Sequence, residues 1–356
     1  MNQPSESVGY FAPAELVEAG FDRLNQRGFD RLNQQGMRHV WSLILAVTAV
    51  LLLSACRTTT SLPTAMPTAA VVQLSASPTP PTTPPAAWTP LPSRTPTPTT
   101  PPTVTPTPTP CPPGEVIAGR YPSSIAGEMR YQIYLPPCYG QDGRTYPTLY
   151  LLPGNVHDET SWVSFGLVNA AEAAIQAGEI PPLLLVMSDG GWIANNSSGG
   201  PSSFEMVILH DLIPAIEQSY CAWPEAAGRA LGGVSRGGYW SLMIAFRQPE
   251  QFVSVGGHSA ALIDSHAGPD LNPQYTALRR DLGALRIYLD IGERDWLRPP
   301  LQKLHEAMAA AGIAHDWRLN PGEHGDDYWS SHVADYLGWY AQPWPLDRHA
   351  YPICRP

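Results

Sequence analysis

From about residue 114 to residue 356 the sequence predicts an α/β domain. It would be a doubly wound, mostly parallel sheet with helices on both faces and little or no cap. Three observations predict it. Short, unbroken apolar runs recur, which suits strands covered on both faces. Helix-period segments separate them. A serine flanked by glycines, Gly233-Val-Ser235-Arg-Gly237, stands where one of those strands must turn into a helix.

In chain order the strands are Thr148-Leu-Tyr-Leu-Leu152, Leu183-Leu-Leu-Val-Met187, Ala230-Leu231, Val253-Ser-Val255, Leu285 to Ile291 and Trp317-Arg-Leu319. Before the third, Leu209, Leu212, Ile213, Ile216 and Tyr220 recur at helical spacing and read as one core-facing helix. Gly238-Tyr-Trp-Ser-Leu-Met-Ile-Ala-Phe246 reads as the helix after the serine. Only about 25 residues separate the strand near His258-Ser259 from the strand starting near Leu285, too few for a large helical insertion.

The strand–turn–helix around Ser235 is a nucleophile elbow. Gly233 and Gly237 are needed because strand and helix crowd together there, and the turn aims backbone N–H groups toward a developing oxyanion. Downstream, Glu293-Arg-Asp295 follows the strand ending at Gly292, and Pro321-Gly-Glu-His324 follows the strand at His315 to Asn320. Ser, then Asp, then His, the last two on loops after strands, supplies a hydroxyl, an imidazole to take its proton and a carboxylate to hold the imidazole's tautomer. Asp290 lies inside the apolar strand, which argues against it as the acid.

Residues from about Cys111 to Trp339 resemble the Putative esterase family of α/β-hydrolases, which includes esterase D-like enzymes, feruloyl and acetylxylan esterases, siderophore esterases and the antigen 85 mycolyltransferases. The matching segments are Tyr134-Leu-Pro-Pro, Tyr146-Pro-Thr-Leu-Tyr-Leu-Leu-Pro-Gly154, Asp211-Leu-Ile-Pro-Ala-Ile-Glu217, the elbow, Phe252-Val-Ser-Val-Gly-Gly-His-Ser259 and Pro321-Gly-Glu-His324 with Tyr328-Trp329. The resemblance implies Ser235 as nucleophile, Asp295 as acid, His324 as base and the N–H groups of Asn155 and Arg236 as oxyanion donors. Where the family has His-Gly-Gly this chain has Pro153-Gly154-Asn155, and Arg236 replaces the usual Met, placing a positive charge beside the site. A carboxylic ester hydrolase is the expected activity. An acyltransferase, a peptidase or amidase, and a non-catalytic binding module are the alternatives.

Upstream of this domain the chain changes character. Met37-Arg-His opens a positive segment, Trp41 to Leu53 is apolar but short for a membrane span, and Leu53-Ser-Ala-Cys56 reads as a lipobox. Residues 37–56 are therefore read as a lipoprotein signal with Cys56 acylated, anchoring an exported protein to the cell membrane. Residues 1–36, with the tandem Phe21 to Gly28 and Phe29 to Gly36, read as a non-native extension or a leader. Residues 57–113 hold 18 of the 40 prolines among Thr, Ser and Ala, a composition that cannot bury a core and reads as an extended stalk.

Cys111, Cys138, Cys221 and Cys354 make an even set in an exported domain. Three pairings are open, with Cys111–Cys138 and Cys221–Cys354 favoured because they would pin the stalk and the C-terminus. The net charge of −10 argues against nucleic acid. His157-Asp158 and His324-Gly-Asp326-Asp327 lack structural-zinc spacing, and neither a phosphate loop nor a dinucleotide fingerprint occurs, so no metal or cofactor is expected. Trp162 and Trp329 are placed to line an open cleft, or else pack as core tryptophans under the loops.

Overall fold

The computed structural model describes residues 111–355. The readings of residues 1–36, of the signal at 37–56 with Cys56, and of the stalk up to residue 110 lie outside the described residues. Eight strands form one sheet in the order β1-β2-β4-β3-β5-β6-β7-β8. They are β1 Glu115–Ser123, β2 Gly127–Leu135, β3 Thr148–Leu152, β4 Leu184–Ser188, β5 Arg229–Val234, β6 Ser254–His258, β7 Arg286–Gly292 and β8 Asp316–Asn320. From β4 through β3 to β8 every neighbouring pair is parallel. The β1–β2 hairpin is antiparallel and joins the sheet at β4. Sequence reading had no separate expectation for this hairpin. Its residues alternate between exposed and buried, as an edge with one wet face does, and lack the unbroken apolar runs of the central strands.

The main helices are α1 Leu167–Gln176, α2 Gly191–Asn196, α3 Ile213–Ser219, α4 Arg236–Arg247, α5 Pro273–Arg279, α6 Arg298–Ala310 and α7 Asp326–Ala341. They sort the core into two layers. Tyr150 and Leu152 of β3 enter the layer formed with α3, α4, α5 and α6. Leu149 and Leu151 enter the layer formed with α1 and α7. α7 commits Trp329, Val333, Tyr336, Leu337 and Tyr340 to its layer, one stripe at helical spacing. The segment expected to be helical over Leu209 to Tyr220 is helical without a break to Ser219, but with a wider π turn, Val207–Leu212, that passes directly into α3. Pro214 has no N–H to give, so the i→i−4 ladder is interrupted there. Leu212, Ile213 and Ile216 are buried as expected, while Leu209 and Tyr220 are only half-buried.

Two disulfides tie the ends down. Cys111 joins Cys138 just beyond β2, and Cys221 joins Cys354 near the C-terminus. Between β6 and β7 the chain makes only a short turn and the seven-residue α5. None of the helices among the described residues is long and apolar enough to cross a membrane.

Candidate active site

Ser235 sits between β5 and α4 with φ 54° and ψ −116°. That left-handed strain is held by the surroundings. Its N–H donates to the His258 carbonyl at 2.9 Å, and its own carbonyl accepts from Ala261 N–H at 2.9 Å. A Cβ on Gly233 would collide with the Gly237 backbone, and one on Gly237 with the Leu152 carbonyl. The crowding foreseen from the sequence is therefore met on both sides of the turn.

The loops after β7 and β8 bring two more side chains to this point. His324 Nε2 lies 2.9 Å from Ser235 Oγ, and His324 Nδ1 lies 2.8 Å from Asp295 Oδ2. A carboxylate can only accept, so Nδ1 carries the hydrogen and Nε2 is free to accept the serine proton. Asp295 is buried, and its other oxygen accepts from the Leu297 N–H at 2.8 Å. The two loops are joined by Arg294 N–H to Gly322 C=O at 3.0 Å and Glu293 N–H to Asn320 C=O at 2.8 Å. Glu293 and Asp290 lie elsewhere: Glu293 is exposed at the loop surface, and Asp290 is sealed under the sheet.

Asn155 is exposed on the loop after β3. The Gly154 carbonyl is engaged by His157 N–H at 3.2 Å, and the Asn155 carbonyl accepts from Asn195 Nδ2 of α2 at 2.9 Å. Arg236 opens α4, so its N–H is one of the unpaired donors of a helix N-terminus. Its side chain departs from expectation. The guanidinium is not presented beside Ser235 as a free charge; the residue is only 6 % exposed. It donates to the Ala194 carbonyl at 3.0 Å and the Ser197 carbonyl at 2.5 Å, and its Nη1 lies 2.9 Å from His266 Nδ1. Burial pushes its pKa down, and it lies over the rings of Tyr239 and Trp240. It fastens α2 and the loop after β6 to the elbow.

The two tryptophans assigned to the cleft wall are corrected by their burial. Trp162 and Trp329 are 1 % and 2 % exposed. Trp162 donates its indole N–H to the Leu152 carbonyl at 3.3 Å, and Trp329 packs edge-on beneath His324 at 5.1 Å. Both follow their loops back into the helix layer, so they form the floor under the site. Among the described residues, the exposed tryptophans are Trp296, 65 %, and Trp192, 61 %. Trp296 lies 5.5 Å from the His324 ring, and Trp192 stands on α2 with Asn195. Neither was singled out from the sequence; Trp296 carried a signal that could have found it, because it directly follows Asp295 on a loop, and Trp192 had none.

Concavities do not single out this site. One of about 490 Å³ runs past His324, lined by Arg294, Glu323, Asp326 and Tyr328. A larger one, about 660 Å³, lies at the opposite end of the sheet between Arg280 and Asp316 and contains no nucleophile.

Residues 123–340 match the model of a family described as Putative esterase. An esterase of Mycobacterium tuberculosis is 33 % identical over 166 residues, 45 % of this chain and 32 % of that protein. An endo-1,4-beta-xylanase/feruloyl esterase of Xylanibacter ruminicola is 32 % identical over 213 residues, 56 % of this chain and 27 % of that protein. The chain thus spans about a third or less of the length of these relatives. Among solved structures, a ferulic acid esterase superposes with a TM-score of 0.59 at 22 % identity, covering 65 % of this chain and all of that one. An S-formylglutathione hydrolase of Staphylococcus aureus does so with a TM-score of 0.56 at 19 % identity, covering 64 % and 96 %. The fold is that of an α/β-hydrolase.

Proposed function

The chain belongs to the Putative esterase family, and from that premise we propose that it is a serine carboxylic ester hydrolase working through an acyl-enzyme. The unbroken chain of hydrogen bonds from Ser235 through His324 to Asp295 carries this reading. Ser235 attacks the ester carbonyl while His324 takes its proton, and Asp295 holds the imidazole and stabilises its charged form. The N–H groups of Asn155 and Arg236 receive the oxyanion. His324 then protonates the leaving alcohol, and water admitted to the open site releases the acid by the same steps in reverse. No cofactor enters this scheme.

The substrate in this reading is a short-acyl or aromatic ester, carried on carbohydrate. Support comes from the short β6–β7 connection, the exposed Trp296 and Trp192, and the feruloyl esterase activity named for one relative. The protein would stand outside the membrane on its Pro/Thr-rich stalk, held by lipid on Cys56. The two disulfides accord with export.

The test is p-nitrophenyl acetate hydrolysis by the protein and its Ser235→Ala variant, with and without a sugar acceptor. Loss of roughly 10⁶ in rate with folding intact supports the nucleophile. Retention of more than a small percentage of activity would remove Ser235 from that role. Acyl transfer to the sugar in place of acid release would make the protein an acyltransferase.

A further inference from the structure

We propose that His157, paired with Asp326, is a positioning residue that holds the Gly154–Asn155 peptide in register with His324 for oxyanion stabilisation. This deepens the reading of Ser235, His324 and Asn155 given above and rests on it.

The placement is unusual in what it connects. His157 belongs to the loop after β3, whose Asn155 N–H is assigned to the oxyanion. Asp326 lies two residues beyond His324, at the start of α7. His157 Nε2 lies 3.0 Å from Asp326 Oδ1, and a carboxylate can only accept, so Nε2–H is the donor. The His157 backbone N–H donates to the Gly154 carbonyl at 3.2 Å. That carbonyl belongs to the same trans peptide as the Asn155 N–H, so fixing one direction fixes the other. The ring also abuts Gly154 itself. A Cβ there would lie 2.5 Å from His157 Nδ1 and 3.5 Å from the Ser235 Cβ. Gly154 is wedged between the imidazole and the nucleophile, and only glycine fits.

The ring's orientation is set by packing as well. It meets Phe165 at 5.4 Å and Trp329 at 5.6 Å, both edge-on, and Trp329 in turn meets His324 at 5.1 Å. One tryptophan therefore supports both imidazoles. His157 Nδ1 is buried without a hydrogen-bond partner among the described residues. A layout chosen for stability would pair or replace that nitrogen. The Asp326 side chain is 66 % exposed, so the His157–Asp326 hydrogen bond itself adds little stability. What the pair supplies is a fixed distance between the loop that receives the oxyanion and the loop that carries the base.

The experiment compares His157→Ala, His157→Gln, Asp326→Ala and the double alanine variant in the full chain, with Ser235→Ala as reference. It reads kcat and KM on p-nitrophenyl acetate, inhibition by phenylboronic acid as a tetrahedral mimic, and Tm. A displaced donor costs less than a deleted one, so each alanine variant should lose roughly ten- to a hundredfold in kcat. KM should change by less than about threefold. Boronate inhibition should weaken in step. The double variant should be no worse than the poorer single, because both break one link. His157→Gln, which keeps a donor near Nε2, should recover most of the loss. Asp326→Ala lies at the surface and tests the link where folding is not at risk. Normal kcat in Asp326→Ala, additive losses, or a loss in KM alone would overturn the inference while Ser235→Ala stays inactive. An active Ser235→Ala variant would overturn the reading of the whole site.

Discussion

His258 Nδ1 donates to the Asp290 carboxylate at 2.6 Å, and neither side chain reaches solvent. This is a second Asp–His pair, on β6 and β7 themselves, whereas the first sits on the loops after β7 and β8. The other oxygen of Asp290 accepts from the hydroxyls of Tyr328 at 2.8 Å and Tyr336 at 2.9 Å. Tyr336 also stacks on His258 at 3.8 Å. Burial, and then the Asp290 charge, hold the Tyr336 hydroxyl well above its usual range, so it stays a donor. The network is satisfied and closed, and no substrate can reach it. It braces β6 and β7 against α7 directly under the elbow, since the His258 carbonyl holds the Ser235 N–H.

The two aspartates should therefore fail in different ways. Asp295→Asn should lower kcat by about 10³–10⁴ through the wrong His324 tautomer, with Tm nearly unchanged. Asp290→Asn should cost on the order of 3 kcal/mol of stability by breaking a buried pair, with far less effect on the kcat of the folded fraction. Urea unfolding and steady-state kinetics on both variants decide. A stable but inactive Asp290→Asn beside an active Asp295→Asn would exchange the roles.

That contrast also shows what could be read before the fold was known. The parallel strands were legible because a strand buried on both faces must be apolar throughout, as Leu149 to Leu152 are. The order of Ser235, Asp295 and His324 was legible because each follows a strand, and strand ends in such a sheet share one edge. Exposure on the loops was not legible. Trp329 follows His324 by five residues in either case, and only the helical stripe of α7 turns it inward. Arg236 looked like a charge for the substrate because nothing local reveals the carbonyls of Ala194 and Ser197, some forty residues away. His157 and Asp326 lie far apart in sequence, so no motif joins them.

The Arg236–His266 contact makes stability depend on pH. His266 Nδ1 faces the Arg236 guanidinium at 2.9 Å and must be unprotonated to accept from it. Burial, and next the Arg236 charge, lower its pKa from 6.5. The unfolded chain then binds this proton more readily than the folded one. The contribution is fully present above about pH 6.5 and is lost as pH falls from there through the folded value. His305 is lowered too, by burial and by His315, and acts with the same sign. Tm should thus fall between about pH 7 and pH 5. His266→Gln, which keeps an acceptor for Arg236, should flatten part of that slope. An identical slope in the variant would show that His266 does not contribute.

If Cys56 carries lipid, Cys56→Ser should move the protein from the membrane fraction to the medium or periplasm. Two or three acyl chains give stable anchoring where a single one does not. Intact-mass measurement of the wild type should show a chain beginning at Cys56 with added acyl mass. A mass that retains residues 1–55 would contradict both the signal and the anchor.

The rim around Ser235 bears on substrate size. The β6–β7 connection is short, so among the described residues no helical lid is inserted there. The exposed apolar side chains near the site are Trp296, beside His324, Trp192 on α2, and Val156, 88 % exposed, next to Asn155. Such a rim offers flat faces to an aromatic ring or a sugar, and offers no buried channel to an alkyl tail. Across p-nitrophenyl esters from about two to about sixteen carbons, kcat/KM should peak at short acyl groups, and a feruloyl ester should rank with them. Trp296→Ala should raise KM for the feruloyl ester about five- to tenfold, a loss on the scale of one aromatic contact, and leave Tm and acetate hydrolysis close to normal. Trp329→Ala should instead cost roughly 3–5 kcal/mol of stability, because it empties the floor beneath His324. A maximum at twelve carbons or longer would mean that an enclosed acyl tunnel forms and that the open-rim reading is wrong. An unchanged KM in Trp296→Ala would place the aromatic contact elsewhere, with Trp192 the next residue to replace.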